Sequence, residues 1–312
     1  MKNSLILEVN NVSKQYGKQQ ALDHFNLKVN KGEIVGVAGP NGAGKTTLFR
    51  IITGMTPVYD GDLKLFGSLD ATGLRENRKY LGTIIEDPAF FPEMSAKQNL
   101  EFYRIQRGVK DKNRIDELLT LVGLADVGNK KFKGFSLGMK QRLAIALALI
   151  HEPELLVFDE PTNGLDPAGI IQVRKLLQKL AKETHLTILV SSHILSELEN
   201  LATRFVIVNH GKKIDEFTKE ELQERLQSYF EIKVDNTDLA SQLLETQLNT
   251  TEFEVTADGV IHVFDANIEA SDIADTLVKN NLKLSHLSRK SHNLEEMFIN
   301  LTEEAHSNDE II

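Results

Sequence analysis

Gly39-Pro40-Asn41-Gly42-Ala43-Gly44-Lys45-Thr46, followed by Thr47, decides the fold. It fits the pattern G-x-x-x-x-G-K-[ST], in which glycines let the backbone turn and aim successive N–H groups at a phosphate that side chains would otherwise block. Upstream, Ile34 to Ala38 is a short apolar run; downstream, Leu48, Ile51 and Ile52 recur at helical spacing, so the segment reads strand, loop, helix. The helix start adds its partial positive charge to the cradle. In this setting Lys45 is placed to reach the β and γ phosphates of a nucleotide, and the Thr46 hydroxyl to ligate Mg²⁺.

A second apolar run, Leu155-Leu156-Val157-Phe158, delivers Asp159 and Glu160 to a strand's carboxyl end, where open α/β sheets bind ligands. Asp159 is suited to hold Mg²⁺ through water, and Glu160 to accept a proton from the attacking water or to orient it. Taken alone, the two carboxylates read equally well as a strand end at the surface. With Lys45 upstream, the reading is a metal and phosphate site.

Working outward, Leu5 to Val12 and Leu22 to Val29 read as an antiparallel pair, and Leu63 to Phe66, Leu81 to Ile85, Thr187 to Ser191 and Phe205 to Asn209 as further strands. With helices between them, the fold class is α/β with a largely parallel central sheet. Strand signals vanish over about 88–142, where Ser95 and Gln98 form a capping box, so that stretch reads as a helical insert. A domain boundary is expected near 220, giving domains 1–220 and 221–312. Beyond it come Tyr229 to Val234 (strand), Asp238 to Leu248 (helix), Phe253 to Ala257 and Val260 to Phe264 around an Asp258-Gly259 turn, Ala270 to Asn280 (helix) and Leu282 to Ser288 (strand). This βαββαβ order predicts a small ferredoxin-like α+β domain. A last helix is expected with Asn293 as cap, Glu296 at its third position, and Leu294, Met297, Phe298 and Leu301 on one face; the polar tail after Glu303 reads as a frayed end.

With 312 residues the chain is long enough for one large domain and a smaller one. Its net charge of -9, with basic residues scattered, argues against nucleic acid as a partner. The absence of cysteine excludes disulfides, thiolate metal sites and cysteine nucleophiles, and suits a reducing cytosol. Glu8 interrupts the amino-terminal apolar residues too early for an export signal. The longest apolar run, Leu143 to Ile150, is eight residues, against roughly 20 for a membrane-spanning helix. Work at a membrane would need another chain to supply the channel.

Phe135-Ser136-Leu137-Gly138-Met139-Lys140-Gln141-Arg142 lies about 90 residues after Lys45 and shortly before Asp159. Here the sequence resembles the ABC ATPase family, over Leu5 to about Phe217. The family signature is usually L-S-G-G-Q followed by x-Q-R; this copy keeps Ser136, Gly138, Gln141 and Arg142 but has Leu137 and Met139 where glycine and glutamine are commonest. Tyr16 stands where the family places an aromatic that stacks on adenine. Gly164-Leu165-Asp166 matches the D-loop, and His193 after Ser191-Ser192 matches the switch histidine near the γ phosphate. Alone, Tyr16 reads as a packing residue and His193 as a core or capping one; order and spacing carry the assignment.

The resemblance implies an ATPase with ATP and Mg²⁺ at Gly39 to Thr47. It also implies a head-to-tail pair, with itself or a paralogous subunit, in which Ser136 and the Gly138 N–H meet the γ phosphate held by the other copy's Lys45. It further implies a membrane-spanning permease, with this chain on the cytoplasmic face of the membrane. Glu86, in Ile84-Ile85-Glu86-Asp87-Pro88, replaces a glutamine that usually touches Mg²⁺ and relays to the membrane subunit. Together with the altered signature, this resembles the bacitracin-resistance and lantibiotic-immunity branch, whose members export antimicrobial peptides. Alternatives are the motor of a general multidrug or lipid exporter, and a soluble ABC ATPase. The last is disfavoured by the single phosphate loop and the short spacing to the signature. No metal or catalytic cluster stands out in 221–312, which reads as structural or regulatory.

Overall fold

The computed structural model of the chain describes residues 4–85, 89–290, 294, 297–299 and 301. They divide into two compact units, one up to Lys219 that also takes in Leu301, the other from Glu220 to Ile299.

The first unit is organised by a six-stranded sheet in the order Leu81–Ile84, Leu155–Phe158, Thr187–Ser192, Ile34–Ala38, Arg204–Asn209, Lys212–Thr218. The first five strands are parallel, and the last returns antiparallel. Every residue of Ile34–Ala38, Leu155–Phe158 and Thr187–Ser192 is buried, the pattern of parallel strands covered on both faces. Because Thr187–Ser192 lies between Ile34–Ala38 and Leu155–Phe158, three loops leave adjacent carboxyl ends: one begins at Gly39, one at Asp159, one at His193. That adjacency builds the site.

A second, antiparallel sheet runs Gln19–Asn30, Leu5–Tyr16, Asp60–Leu65. The expected strand at Leu63 to Phe66 therefore belongs here, over Asp60–Leu65, and not to the parallel sheet. Its burial alternates, Leu63 and Leu65 in, Asp62 and Lys64 out, as suits a strand with one wet face. Leu22, Phe25, Leu27 and Val29 share one buried cluster with Phe49 and Ile52 of the phosphate-loop helix and Val35, Val37 and Val157 of the parallel sheet. The loop helix is thus anchored from both sheets by apolar burial, worth about 1.5–3 kcal/mol per large side chain.

The insert contains helices Ala96–Gln106, Arg114–Leu121 and Leu137–Ala148. Its first helix starts with the expected capping box: Ser95 Oγ accepts the Gln98 N–H at 3.2 Å, and Gln98 Oε1 accepts the Ser95 N–H at 2.9 Å. Leu137–Ala148 starts at exposed Ser136 and ends deep in the core. There a Cβ on Gly82 would come within 2.4 Å of the Ala148 carbonyl oxygen, so helix end and strand touch backbone to backbone. Among the described residues no helix is long and apolar enough to cross a membrane.

The second unit contains strands Tyr229–Val234, Phe253–Val255, Ile261–Val263 and Leu284–Lys290, and helices Thr237–Thr246 and Ala270–Lys279. The sheet order is Phe253–Val255, Ile261–Val263, Tyr229–Val234, Leu284–Lys290, all antiparallel. This order and the βαββαβ succession are ferredoxin-like. Ile232, Leu244, Ile261, Val263, Ile273 and Leu277 form its fully buried core. Gly259 turns the hairpin at φ 79, its N–H bonded to the Thr256 carbonyl at 2.9 Å. Asn293 and Glu296 lie outside the described residues.

Candidate active site

The phosphate loop leaves Ala38 and opens the helix Lys45–Thr53 at Gly44. Gly44 has φ 110, and a Cβ there would lie 2.5 Å from the Ala21 carbonyl oxygen. Glycine is required twice over, by conformation and by space. No side chain caps this helix start among the described residues. Its first-turn amides, which have no partner within the helix, are therefore free to face an anion.

Lys45 is buried, and its ammonium donates to the Gly39 and Pro40 carbonyls at 2.6 and 3.1 Å. Glu160 Oε1 stands 3.3 Å from the same nitrogen, and Glu160 Oε2 is 2.9 Å from His193 Nδ1. Thr46 Oγ1 donates to Asp159 Oδ2 at 2.6 Å. Loop lysine, loop hydroxyl, two carboxylates and histidine, far apart in sequence, are thus brought together. Thr46 and Asp159 offer only oxygens, the hard donors that suit Mg²⁺, which takes one or two protein oxygens alongside substrate phosphates.

The cleft above the loop is lined by Asn41, Gly42, Ala43, Gly44, Lys45, Thr46, Thr47 and Glu160, with Tyr16, Gln19 and Ala21 on the other side. Tyr16 ends its strand 45% exposed, its hydroxyl 3.3 Å from Thr56 Oγ1 and Lys14 Nζ 5.0 Å from its ring centre. Its ring is available to a flat ligand. Gln19 and Ala21 were not anticipated from the sequence. Their one signal is their place just after the turn that follows Tyr16.

Ser136, Gly138 and Asp166 do not line this cleft. Ser136 caps the signature helix, its Oγ accepting the Met139 N–H at 3.3 Å. Asp166 caps Pro167–Thr184 by accepting the Gly169 N–H at 3.0 Å. Leu137, in place of the usual glycine, is half exposed, and its Cδ2 would lie 3.3 Å from a Cβ on Gly164, so it packs on the D-loop. Glu86 lies outside the described residues.

A phosphate loop at the carboxyl end of a parallel sheet, with a facing Asp-Glu pair and a histidine on the next strand end, defines a P-loop nucleoside triphosphatase. Residues 22–163 match the family described as ABC transporter. The chain is 39% identical over 298 residues to the bacitracin transport ATP-binding protein BcrA of Bacillus licheniformis, covering 96% of this chain and 97% of that one. It is 41% identical over 209 residues to the lantibiotic transport ATP-binding protein SrtF of Streptococcus pyogenes, covering 67% of this chain and 89% of that one. Among solved structures it resembles the ATP-binding cassette MJ0796, a dimer in a post-hydrolysis state bound to ADP and Pi. The TM-score is 0.60 and the identity 27%, over 69% of this chain and 99% of that one. The chain belongs to the ABC transporter ATP-binding proteins; it binds ATP and hydrolyses it as the ATPase subunit of a transporter.

Proposed function

We propose that this chain drives export of a peptide antibiotic or lantibiotic. On this reading it is bound to the cytoplasmic face of the membrane by a separate permease and works as a pair with a second copy or a paralogous subunit. The observation that carries the reading is the similarity to a bacitracin transport protein over 96% of this chain. That span takes in the second unit as well as the cassette that ABC ATPases share.

Tyr16 stacks on the adenine, and the loop amides with Lys45 hold the β and γ phosphates. Thr46 and Asp159 would hold Mg²⁺, whose charge would offset that developing on the phosphates. Glu160 takes the proton of the water that attacks the γ phosphorus, leaving ADP and phosphate. His193, 2.9 Å from Glu160, positions that carboxylate. Ser136 and Gly138 act on the nucleotide of the other copy. In support, a Cβ on Gly138 would meet nothing within 4 Å, so its own chain leaves room there for the close approach of another molecule. Asp166 and Glu86 complete the set, the latter as the switch toward the permease.

The test is deletion of the gene, followed by growth against bacitracin and a panel of lantibiotics. Sensitivity to at least one peptide, restored by the wild-type gene, is expected. Unchanged sensitivity to every peptide would refute peptide export and favour a general multidrug or lipid exporter.

A further inference from the structure

Ser191 sits at the carboxyl end of Thr187–Ser192 with no surface exposed to solvent. Its hydroxyl donates to Asp159 Oδ1 at 2.6 Å and accepts the backbone N–H of Glu160 at 2.9 Å. A serine hydroxyl has one proton to give, so donation to Asp159 and acceptance from Glu160 fix its orientation completely. On the far side of Asp159, Oδ2 accepts from Thr46. Both carboxylate oxygens are therefore held, and the carboxylate cannot rotate. Glu160 has φ 46, a left-handed conformation that residues with a Cβ disfavour. The bond from its N–H to Ser191 helps to hold that turn, and the turn aims its side chain at Lys45 and His193.

We propose that Ser191 is a positioning residue for hydrolysis: one buried hydroxyl sets Asp159 and Glu160 relative to each other. This rests on the roles given above to those two carboxylates. A partner that orients such groups is worth about 10- to 100-fold in activity. Alanine removes both bonds and leaves the Glu160 N–H unpaired, whereas threonine keeps the hydroxyl.

The experiment uses the full-length chain as S191A, S191T and E160Q. It measures kcat and KM for ATP, and amide hydrogen exchange in peptides spanning 155–163. For S191A we expect kcat to fall about 10- to 100-fold with KM for ATP changed less than about threefold, and exchange to quicken locally at 155–163. S191T should recover most of kcat. Wild-type kcat in S191A beside an inactive E160Q overturns the proposal, as does exchange rising equally along the whole chain or a threonine variant as impaired as alanine. Wild-type turnover in E160Q would instead overturn the roles on which the proposal rests.

Discussion

Replacing Gly44 by alanine tests whether the loop is shaped by its surroundings as described. Alanine at φ 110 costs about 1–3 kcal/mol in backbone strain. Its Cβ would also lie 2.5 Å from the Ala21 carbonyl oxygen and 3.0 Å from Leu22 Cδ2. The carbonyl is backbone in a paired strand and cannot swing aside, so overpacking adds about 1–3 kcal/mol. Gly42→Ala is the control: its φ is 82, but a Cβ there meets nothing within 4 Å, so only the strain applies. Urea unfolding of nucleotide-free protein should therefore rank wild type above Gly42→Ala above Gly44→Ala, the two variants differing by about 1–3 kcal/mol. If the loop relaxes instead, about 2 kcal/mol reappears as roughly 30-fold weaker ATP binding, read by titration with a fluorescent nucleotide. A Gly44→Ala protein within about 0.5 kcal/mol of wild type in stability and within about threefold in ATP affinity would refute the reasoning.

Glu160→Gln should bind ATP normally and form an ATP-dependent dimer in sedimentation while turnover falls about 10²- to 10⁴-fold; normal turnover removes Glu160 from its role. Gly138→Ala should leave the melting temperature unchanged or slightly raised, since alanine favours a helix and has room, yet weaken that dimer; a lower melting temperature with normal pairing would place the constraint inside the chain. His151 has its pKa lowered, first by burial and then by the Arg107 cation, against a raising hydrogen bond to the Leu81 carbonyl. The folded state thus favours neutral imidazole, so this stability is present above the unfolded value of about 6.5 and lost as pH falls through the lower folded one. His151→Gln should flatten the loss of stability between about pH 7 and pH 5, and an unchanged slope by circular dichroism melting would contradict it.

The residues that the structure gathers around the phosphate loop were readable from sequence by type: glycines where φ is positive, a lysine and a hydroxyl in the loop, carboxylates at a strand end. What depends on distant pairing was less so. Asp60–Leu65 looks like any short strand, and only its register with Leu5–Tyr16 assigns it to the antiparallel sheet. Lys212–Thr218 was missed because a single residue, Phe217, is buried on this edge strand. The turn before it, His210-Gly211 with φ 45 and 77, was the available signal. From sequence Ser191 reads as a strand end beside His193 and carries no role of its own, although two serines ending an apolar strand at a ligand-binding edge are out of keeping with the run before them. Glu160's left-handed backbone has no sequence signal at all.

The signature helix, with Ser136 in solvent at one end and Ala148 against Gly82 at the other, spans 12 residues, about 18 Å. Mechanically it is a rigid pushrod with no backlash at its inner joint, because the missing Cβ of Gly82 leaves no gap for the helix to slide through before it meets the strand. On the proposed reading, in which a partner's nucleotide meets the exposed end, a displacement there would be carried along the helix to the strand Leu81–Ile84. Glu86 follows two residues after that strand ends. A larger side chain at position 82 would force the joint apart and let the stroke dissipate, uncoupling the two ends without touching ATP.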